Sequence, residues 1–343
     1  MNKHQKIKTG ILAYGMSGKV FHAPFLVDND LFEFRAVVER TKKNAQTDYP
    51  NVISYDSVEE LLRDPQIELV IVNTPNDTHF DFAKQAIEFG KHVLIEKPFA
   101  PTTAQAKELF ALGRKYGKQV LPYHNRRFDS DFLSLKYVLE KRFVGRPIEL
   151  HIRFDRYKPE IGPKVFKETR RPAAGVVYDL GSHLLDQVLS LFGKPKSMTK
   201  ISGSYRDQSV VDDFGNIILN YVDGLNVYIT TSLLVANPQA SIVLHGTKGS
   251  FVKDRTDVQE AQLIKGIRPM QAEYGEEAEG KDGLLTVHHD DGSFEQLIVP
   301  SNRGHYEKVF QHVYDSIRQS APYYVSEDEI VWQLDILGPN KGS

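Results

Sequence analysis

Residues 7–24 read I-K-T-G-I-L-A-Y-G-M-S-G-K-V-F-H-A-P, and this stretch decides the fold of the N-terminal part of the chain. The mostly apolar residues 7–14 predict a short buried strand. The turn G-M-S-G at 15–18 follows this strand, and residues 19–26 predict the start of a helix. A strand, a glycine turn and a helix in this order are typical of the opening unit of a parallel α/β sheet.

The alternation of strands and helices continues over the next hundred residues. Further strands are predicted at 33–38, 69–73, 92–96 and 119–122, with helices at 57–63, 78–88 and 103–116. Because helical stretches separate the strands, we expect parallel strands joined by right-handed crossovers. We therefore predict an α/β fold over residues 1–122, with the doubly wound parallel sheet of a Rossmann nucleotide-binding domain.

Past residue 122 the pattern changes to short strands joined by tight turns. Strands are predicted at 148–155, 214–221, 225–235, 241–245, 250–253, 284–288 and 294–299, and helices at 130–141, 176–192, 306–319 and 326–337. The dipeptides Asp223-Gly224 and Asp291-Gly292 are hairpin signals. We predict a second α/β domain over residues 123–343 with a large open, mostly antiparallel sheet. The acidic stretch 273–281 is expected to be a solvated loop.

The composition excludes several classes of site and partner. The 343 residues include no cysteine, which rules out disulfides, thiolate-ligated zinc and iron–sulfur clusters, and we predict no metal site. Because the net charge is −2 and no basic patch stands out, we do not expect nucleic acid as a partner. No apolar run approaches the length of a membrane helix, and no signal peptide is recognised, so we expect no membrane contact and a cytoplasmic location.

The glycine turn has the spacing of a phosphate-binding fingerprint. Residues 13–18 match G-x-G-x-x-G with alanine in the first position. Gly15 would let the backbone approach a pyrophosphate, and Gly18 would let the helix pack closely on the strand. Met16 and Ser17 belong to the same predicted cofactor site, at the positive end of a helix. The alternative is an ordinary glycine-rich turn, but the strand before it and the helix after it favour dinucleotide binding.

The end of the second strand bears on the choice of dinucleotide. Glu39 lies 24 residues after Gly15, close to the spacing at which an acid binds the ribose hydroxyls of NAD. The neighbouring Arg40 could instead pair with the 2′-phosphate of NADP or stack on the adenine. The two residues argue in opposite directions, so the sequence leaves NAD or NADP open.

Two further loops fall at the carboxyl ends of predicted strands. Thr74-Pro75-Asn76 follows one strand, and Glu96-Lys97 follows the next. Because an open α/β sheet binds its ligands at this edge, a lysine here faces the cofactor cleft. The proline after Lys97 restricts the lysine backbone to an extended or turn conformation.

An acid and a histidine share one face of the predicted helix at 176–192. Asp179 and His183 are four residues apart and form a polar stripe on an otherwise apolar helix. Gly181 inside the helix costs about 1 kcal/mol relative to alanine, which suggests close packing there. Zinc would need a third ligand that the sequence does not offer, so a proton-transfer pair is the better interpretation.

These clusters, in this order, resemble the Gfo/Idh/MocA oxidoreductases over nearly the whole chain. The resemblance rests on E-K-P at 96–98 together with G-x-x-x-D-x-x-x-H at 175–183. The stretches G-x-x-G-K-V-F-H-A-P at 15–24 and H-N-R-R-F-D at 124–129 are similar to the subgroup near the scyllo-inositol dehydrogenases.

The resemblance implies a Rossmann domain that binds NAD or NADP and a C-terminal domain that associates through its open sheet. It implies that Lys97, Asp179 and His183 surround the nicotinamide and the reacting carbinol, and are the catalytic residues. The stretch matching T-P-N-x-x-H would line the cofactor side. The cofactor-binding residues are then Gly15, Met16, Ser17, Gly18, Glu39, Arg40, Thr74, Pro75, Asn76, His79, Glu96 and Lys97.

The leading hypothesis is a dehydrogenase that moves a hydride between the nicotinamide and a secondary alcohol or ketone of a sugar or cyclic polyol. The alternatives are a cofactor-binding sensor without turnover and a glycosidase assisted by NAD. Weaker candidates for binding the substrate are Asn125, Arg126 and Tyr157. We also predict a homodimer or homotetramer, on the argument that a sheet face with β-branched residues needs covering; these residues are Ile217, Val227, Ile229 and Ile242.

Overall fold

The computed structural model describes residues 5–162 and 168–339, which form two compact units. Unit 1 contains the chain up to Asn125 together with Gln259–Tyr274 and Tyr306–Val331. Unit 2 contains Arg126–Val258, Gly275–His305 and the chain from Trp332 onward. The sequence predicts a single boundary at residue 122, and it does not indicate that Gln259–Tyr274 and Tyr306–Val331 belong to unit 1.

Fourteen strands and ten helices lie in the described residues. The strands are β1 (Ile7–Ile11), β2 (Phe32–Val38), β3 (Ile53–Tyr55), β4 (Leu69–Val72), β5 (His92–Ile95), β6 (Val120–Pro122), β7 (Pro147–Asp155), β8 (Ser197–Gly203), β9 (Phe214–Asn220), β10 (Asn226–Ser232), β11 (Ile242–Gly246), β12 (Gly249–Lys253), β13 (Gly283–His288) and β14 (Phe294–Val299). The helices are α1 (Ala23–Val27), α2 (Asn44–Asp48), α3 (Val58–Arg63), α4 (His79–Glu88), α5 (Thr103–Tyr116), α6 (Ser130–Glu140), α7 (Ser182–Phe192), α8 (Gln259–Ile264), α9 (Glu307–Gln319) and α10 (Glu327–Leu337). In this part of the chain no helix has the length and apolar character needed to cross a membrane.

Unit 1 is built on a parallel sheet. In the described chain its six strands have the order β3-β2-β1-β4-β5-β6. Every neighbouring pair is parallel, and the apolar strand β4 is buried along its whole length, as expected of a central strand with helices on both faces. The strand order reverses between β1 and β4, and ligands bind at the carboxyl ends of strands beside such a switch point. The predicted doubly wound fold is confirmed.

Unit 2 is built on a large open sheet. Within the described residues it has eight strands in the order β14-β13-β12-β11-β7-β10-β9-β8. The pair β7 and β10 is parallel, and all other neighbouring pairs are antiparallel. This arrangement confirms the prediction of a mostly antiparallel second sheet.

The four β-branched residues that were expected to need a partner subunit lie on the inner face of this sheet. Ile217, Val227, Ile229 and Ile242 are each at most 2% exposed in the single chain. Strand periodicity shows that such residues share a face, but not which face the chain itself covers. The argument from these four residues to an oligomer is therefore wrong.

The opposite face of the sheet carries a different row of side chains, most of them apolar. Successive register pairs place one residue of each strand side by side across the full width of the sheet. The row consists of Ile298, Leu284, Val252, Val243, His151, Tyr228, Ile218 and Thr199. None of these eight side chains is buried, and Ile298 is 64% exposed. We call this row the open-face row.

The acidic stretch 273–281 is not a solvated loop throughout. Tyr274 is fully buried, and the side chain of Glu277 is 2% exposed. The Oε2 atom of Glu277 accepts a hydrogen bond of 2.8 Å from Nζ of Lys253, which is itself buried on β12. Hydroxyl groups of Ser130, Thr256 and Ser301 also donate to this carboxylate. The prediction was wrong for these positions because a charge run does not reveal a buried counterion elsewhere in the chain.

Candidate functional site

The loop after β1 has the shape of a phosphate cradle. Helical backbone begins at Met16 and continues to Val27, with a π-helical turn at Gly18–His22. A Cβ atom on Gly18 would collide with the backbone oxygen of Ala13, whereas a Cβ atom on Gly15 would meet no atom within 4 Å. Gly18 thus allows close packing, and Gly15 leaves open space beside the first turn of the helix. These features fit a pyrophosphate at a helix N-terminus.

Asn73, directly after β4, fixes this loop from one side. Its Oδ1 atom accepts a hydrogen bond of 3.0 Å from the backbone N–H of Ala13, and its Nδ2 atom donates one of 2.8 Å to the backbone oxygen of the same residue. The amide thereby continues the pairing of β4 with β1 beyond the end of both strands. The alanine in the first fingerprint position is held by these two bonds.

Glu96, directly after β5, fixes the same loop from the other side. Its Oε1 atom accepts hydrogen bonds from the hydroxyl of Ser17 at 2.8 Å and from Nε2 of His22 at 2.9 Å. Its Oε2 atom accepts one of 3.2 Å from the backbone N–H of Lys97. Burial raises the pKa of Glu96, but the bonds from His22 and Ser17 outweigh burial and lower this pKa to about 2. The carboxylate is therefore a permanent anion that joins the glycine loop to the E-K-P stretch.

The structure gives Glu39 a local role at the start of α2. Its carboxylate accepts hydrogen bonds from the backbone N–H groups of Asn44 and Ala45, at 2.9 and 3.2 Å, and from the Ser54 hydroxyl at 3.1 Å. The residue is only 8% exposed. An acid at this place satisfies otherwise unpaired N–H groups of the helix. Arg40, the next residue, is exposed.

His79 joins the loops after β4 and β5. It is 1% exposed, and its Nδ1 and Nε2 atoms lie 2.9 and 2.8 Å from the backbone oxygens of Pro98 and Thr74. Burial lowers the pKa of His79, against the opposing effect of these two carbonyls and of Glu96. A neutral ring donates to one carbonyl at a time, whereas a protonated ring donates to both. His79 therefore holds the backbone of the T-P-N and E-K-P loops rather than pointing to the surface of the site.

The remaining predicted residues of unit 1 lie at the same edge of the sheet. Asn76 belongs to a short 3₁₀ turn, Asn76–Thr78, and the hydroxyl groups of Thr74 and Thr78 are 2.7 Å apart. Pro75 accepts a hydrogen bond of 2.8 Å from the backbone N–H of Thr78. Lys97 is half-buried and precedes a cis peptide bond. The ends of β1, β4 and β5 thus gather most of the predicted cofactor residues.

In unit 2, Asp179 and His183 lie where a π-helical turn meets α7. Asp179 is half-buried within the turn Val177–Gly181, and His183 is the second residue of α7 and 6% exposed. π-Helical turns are rare and occur frequently at functional sites. One π-helical turn begins at Gly18 of the glycine loop. The other contains Asp179 and directly precedes the helix that carries His183.

Asp212 holds the start of this helical segment. Its Oδ2 atom accepts a hydrogen bond of 2.8 Å from the backbone N–H of Val177. Its backbone oxygen accepts a second hydrogen bond, of 2.9 Å, from the backbone N–H of Val176. Burial raises the pKa of Asp212. Sequence reasoning missed this residue because it lies far along the chain from the helix that it caps.

The close packing expected at Gly181 is found at a different glycine. A Cβ atom on Gly181 would make only ordinary contacts, at 3.8 Å to Val177 and 3.9 Å to Thr231. A Cβ atom on Gly215 would instead collide with a methyl group of Val177. Gly215 on β9 is therefore the position that lets the π-helical turn lie close to the sheet.

The H-N-R-R-F-D stretch anchors α7. Arg127 forms a two-point ion pair with Asp186, with hydrogen bonds of 2.8 and 2.7 Å, and both side chains are less than 10% exposed. Gln187 donates a hydrogen bond of 2.7 Å to the backbone oxygen of Arg126. Asp186 and Gln187 follow His183 by three and four residues, so these contacts fix the turn that carries the histidine.

The three weaker substrate candidates differ in accessibility. Asn125 is 4% exposed, and Arg126 donates a hydrogen bond of 3.3 Å to buried Asp129. Tyr157 is 60% exposed. The predicted site residues are thus divided between the units: Lys97 belongs to unit 1, whereas Asp179 and His183 belong to unit 2.

Comparison with known proteins agrees with this geometry. The family model described as "Oxidoreductase family, NAD-binding Rossmann fold" matches residues 7–124, and the Gfo/Idh/MocA C-terminal domain model matches residues 132–252. The uncharacterized oxidoreductase YhhX of Escherichia coli is 37% identical over 334 residues, which cover 96% of this chain and 95% of that protein. The scyllo-inositol 2-dehydrogenase (NADP(+)) IolW of Bacillus subtilis is 33% identical over 337 residues, covering 98% and 93%.

Solved structures give the same result. The oxidoreductase yvaA of Bacillus subtilis superimposes with a TM-score of 0.93 at 31% identity, covering 98% of this chain and 95% of the other. An oxidoreductase from Bacillus cereus gives a TM-score of 0.90 at 32% identity, covering 98% and 97%. The cradle after β1, the two matched domain models and these relatives lead to one conclusion: the chain belongs to the Gfo/Idh/MocA family of oxidoreductases, whose Rossmann domain binds NAD or NADP.

Proposed function

We propose that the protein oxidises a secondary alcohol of a sugar or cyclic polyol, or reduces the corresponding ketone, with a nicotinamide cofactor. The observation that carries the proposal is the glycine cradle held between Asn73 and Glu96, whose backbone continues directly into Lys97. The relative named as a scyllo-inositol 2-dehydrogenase supports a polyol as the substrate.

The chemistry requires a proton to leave the hydroxyl oxygen when hydride leaves the carbon. The nicotinamide, when bound, supplies the hydride acceptor or donor. In the proposal His183 takes the hydroxyl proton in oxidation and returns it in reduction. Lys97 stabilises the negative charge that develops on the same oxygen, because the residue is half-buried and a charge there is less screened than one in bulk water. Asp179 shares protons with these two groups as one coupled network.

We propose NADP as the preferred cofactor. The Glu39 carboxylate, which would bind the ribose hydroxyls of NAD, already accepts three hydrogen bonds within unit 1. The neighbouring guanidinium of Arg40 is exposed and suits a 2′-phosphate. The Bacillus subtilis relative is named for NADP as well.

We propose that two copies of the chain associate through the open-face row. The row crosses the whole sheet and includes the exposed side chains of Leu284 and Ile298. Five of its eight side chains are aliphatic, and an exposed apolar patch of this kind is typical of an interface. A monomer at micromolar concentration in light scattering would contradict the proposal.

The decisive experiment is a panel of inositols, aldoses and their keto forms, tested with NAD and NADP by absorbance of the reduced nicotinamide. We expect turnover of at least one polyol, and a loss of about 100-fold or more in Lys97→Ala and in His183→Ala. Near-normal turnover in both variants would contradict the assignment. Tight cofactor binding without any turnover would favour the sensor, and sugar release without net reduction would favour the NAD-assisted glycosidase.

A further inference from the structure

Three arginine side chains of unit 2 surround one aromatic ring. The guanidinium carbons of Arg255, Arg156 and Arg126 lie 4.4, 5.1 and 5.2 Å from the centre of the Phe154 ring. Each distance is within the range of a cation–π interaction. The ring is 6% exposed, so three positive charges stand together at the end of β7 in a poorly hydrated place.

Two of these three charges have counterions in the same cluster. Arg126 and Arg255 both reach Oδ2 of Asp129, at 3.3 and 3.5 Å, and Arg255 also lies 3.9 Å from Asp131. Arg255 further donates to the backbone oxygen of Arg153. Burial, followed by the neighbouring Asp257, raises the pKa of Asp129, and Arg126 and Arg255 oppose this shift because they favour its charged form. These two arginines are thus engaged with Asp129.

The charge of Arg156 has no such match. In residues 5–162 and 168–339 its guanidinium has the Phe154 ring as its contact and forms no ion pair or side-chain hydrogen bond. The backbone of the residue is fixed, because its N–H donates to Ser232 and its oxygen accepts from Val235. A half-buried arginine at a fixed strand end, with five N–H donors on its guanidinium group, is expected to have an oxyanion as its ligand.

The cluster also lies close to the helix of the polar pair. Phe154 on β7 is the register partner of Thr231 on β10, and Thr231 lies 3.9 Å from the Cβ position of Gly181. Gly181 belongs to the same π-helical turn as Asp179. Strand β10 therefore lies between β7, whose end carries the arginine cluster, and the turn that carries Asp179.

We propose that Arg156 binds a carboxylate or phosphate group of the substrate, so that the preferred substrate is a sugar or polyol that carries an oxyanion. The proposal rests on the proposed function for the reaction itself. Phe154 holds the guanidinium group in place, and Arg126 and Arg255 are engaged with Asp129, so Arg156 is the arginine of this cluster that can offer its charge to a ligand.

The test uses the full-length protein with NADP and compares glucose, myo-inositol, glucuronate, gluconate and glucose 6-phosphate. Turnover and direct binding by calorimetry are both measured for wild type, Arg156→Met, Arg156→Lys and the control Arg146→Met. Arg146 is an exposed arginine beside the start of the same strand, so its variant makes the same change in net charge.

We expect wild type to bind at least one anionic probe more tightly than its neutral analogue. In Arg156→Met this preference should fall about 10- to 100-fold, the effect of losing a charged hydrogen bond, whereas Arg146→Met should keep it. Partial retention in Arg156→Lys would show that charge alone supplies part of the effect. The carboxylate and phosphate probes distinguish the two sources of the oxyanion.

An equal preference in wild type and Arg156→Met, or tighter binding of the neutral probes by wild type, would overturn the inference. Because binding is measured separately, this result is distinguishable from failure of the proposed reaction. In that other case no probe would be turned over, yet the anionic probe would still bind through Arg156.

Discussion

In unit 1 the Nε2 atom of His22 lies 2.9 Å from the Oε1 atom of Glu96, with the histidine fully buried and the Glu96 side chain 13% exposed. The pair connects the helix after β1 with the loop after β5. It therefore makes the position of the glycine loop dependent on an acid that directly precedes the proposed catalytic lysine.

The pH dependence of unfolding should reveal this pair. Because the pKa of Glu96 is lowered to about 2 in the folded protein, its charge stabilises the fold above the unfolded value near 4.5, and this stability is lost as pH falls from about 4.5 to about 2. The loss is about 3 kcal/mol. Urea unfolding at pH 7, 4 and 3 should show a weaker pH dependence in Glu96→Gln than in wild type.

The exposed Glu59, which pairs with Arg63 on α3, provides the control. Glu59→Gln should keep the pH dependence of wild type, since surface ion pairs contribute little to stability. If the curves for wild type and Glu96→Gln ran parallel, the stabilising role of the Glu96 charge would be refuted.

The two glycines of the cradle should respond differently to alanine. Gly18→Ala places a methyl group against the backbone of Ala13 and should lower the free energy of unfolding by about 1–3 kcal/mol. Gly15→Ala places its methyl group in open space, so thermal melting without cofactor should be nearly unchanged. In a fluorescence titration, however, NADPH should bind at least tenfold more weakly to Gly15→Ala. Normal cofactor affinity in this variant would contradict the cradle.

His79 should affect cofactor binding indirectly, by holding two loops of the site in position. His79→Leu leaves buried backbone oxygens without their donor, which should cost about 2 kcal/mol of stability and raise the KM for the cofactor, because two site loops lose their link. His92, another histidine of unit 1, accepts a hydrogen bond from the backbone N–H of Gln119 at the opposite end of β5. His92→Leu should lower stability but leave the cofactor KM unchanged. Equal effects of both variants on KM would disprove the positioning role.

Cofactor preference can be tested at the end of β2. Arg40→Ala should raise the KM for NADP about tenfold or more and leave that for NAD nearly unchanged, because only the former carries a 2′-phosphate. Initial rates with both cofactors measure the ratio directly. A preference for NAD in wild type would instead show that Glu39 gives up its contacts at α2 to bind ribose.

Removing one partner of the buried ion pair between Lys253 and Glu277 should cost more stability than removing both. Lys253→Met leaves the Glu277 carboxylate buried without its cation, which should cost about 3–5 kcal/mol in chemical unfolding. The double variant Lys253→Met with Glu277→Leu should recover much of this loss, because no unpaired charge remains. Double and single variants of equal stability would show that the hydroxyl groups, rather than the charges, hold this cluster together.

Elements with strong local signals could be predicted from the sequence. The spacing predicts a helix over 103–116, and the structure has α5 at Thr103–Tyr116, where the Thr102 hydroxyl caps its first turn and Gly117 ends it with a φ of +63°. By contrast β8 was not predicted. It is an edge strand whose residues are all exposed or half-buried, so it lacks the apolar alternation that marks a strand.

The candidate site could be located from motifs, but the contacts within it could not. The spacing of Glu39 from the glycine turn predicts an acid that binds ribose. The residues around Glu39 give no sequence signal that its carboxylate instead binds the N–H groups of α2. The same holds for Asp212 and Asn73, whose partners lie 35 and 60 residues away along the chain. Such pairings depend on how the sheet brings distant segments together, which a one-dimensional pattern does not contain.

The π-helical turn before α7 amounts to one extra residue in an otherwise regular helix. Removing one residue from it would allow ordinary α-helical bonding through this segment, and the backbone on either side would keep nearly the same direction, because five residues of a π turn cover about the same rotation as four of an α-helix. Only the residues inside the turn, Asp179 among them, would change direction relative to His183. The irregular turn thus sets the direction of the acid through the spacing of the backbone rather than through the contacts of any one side chain.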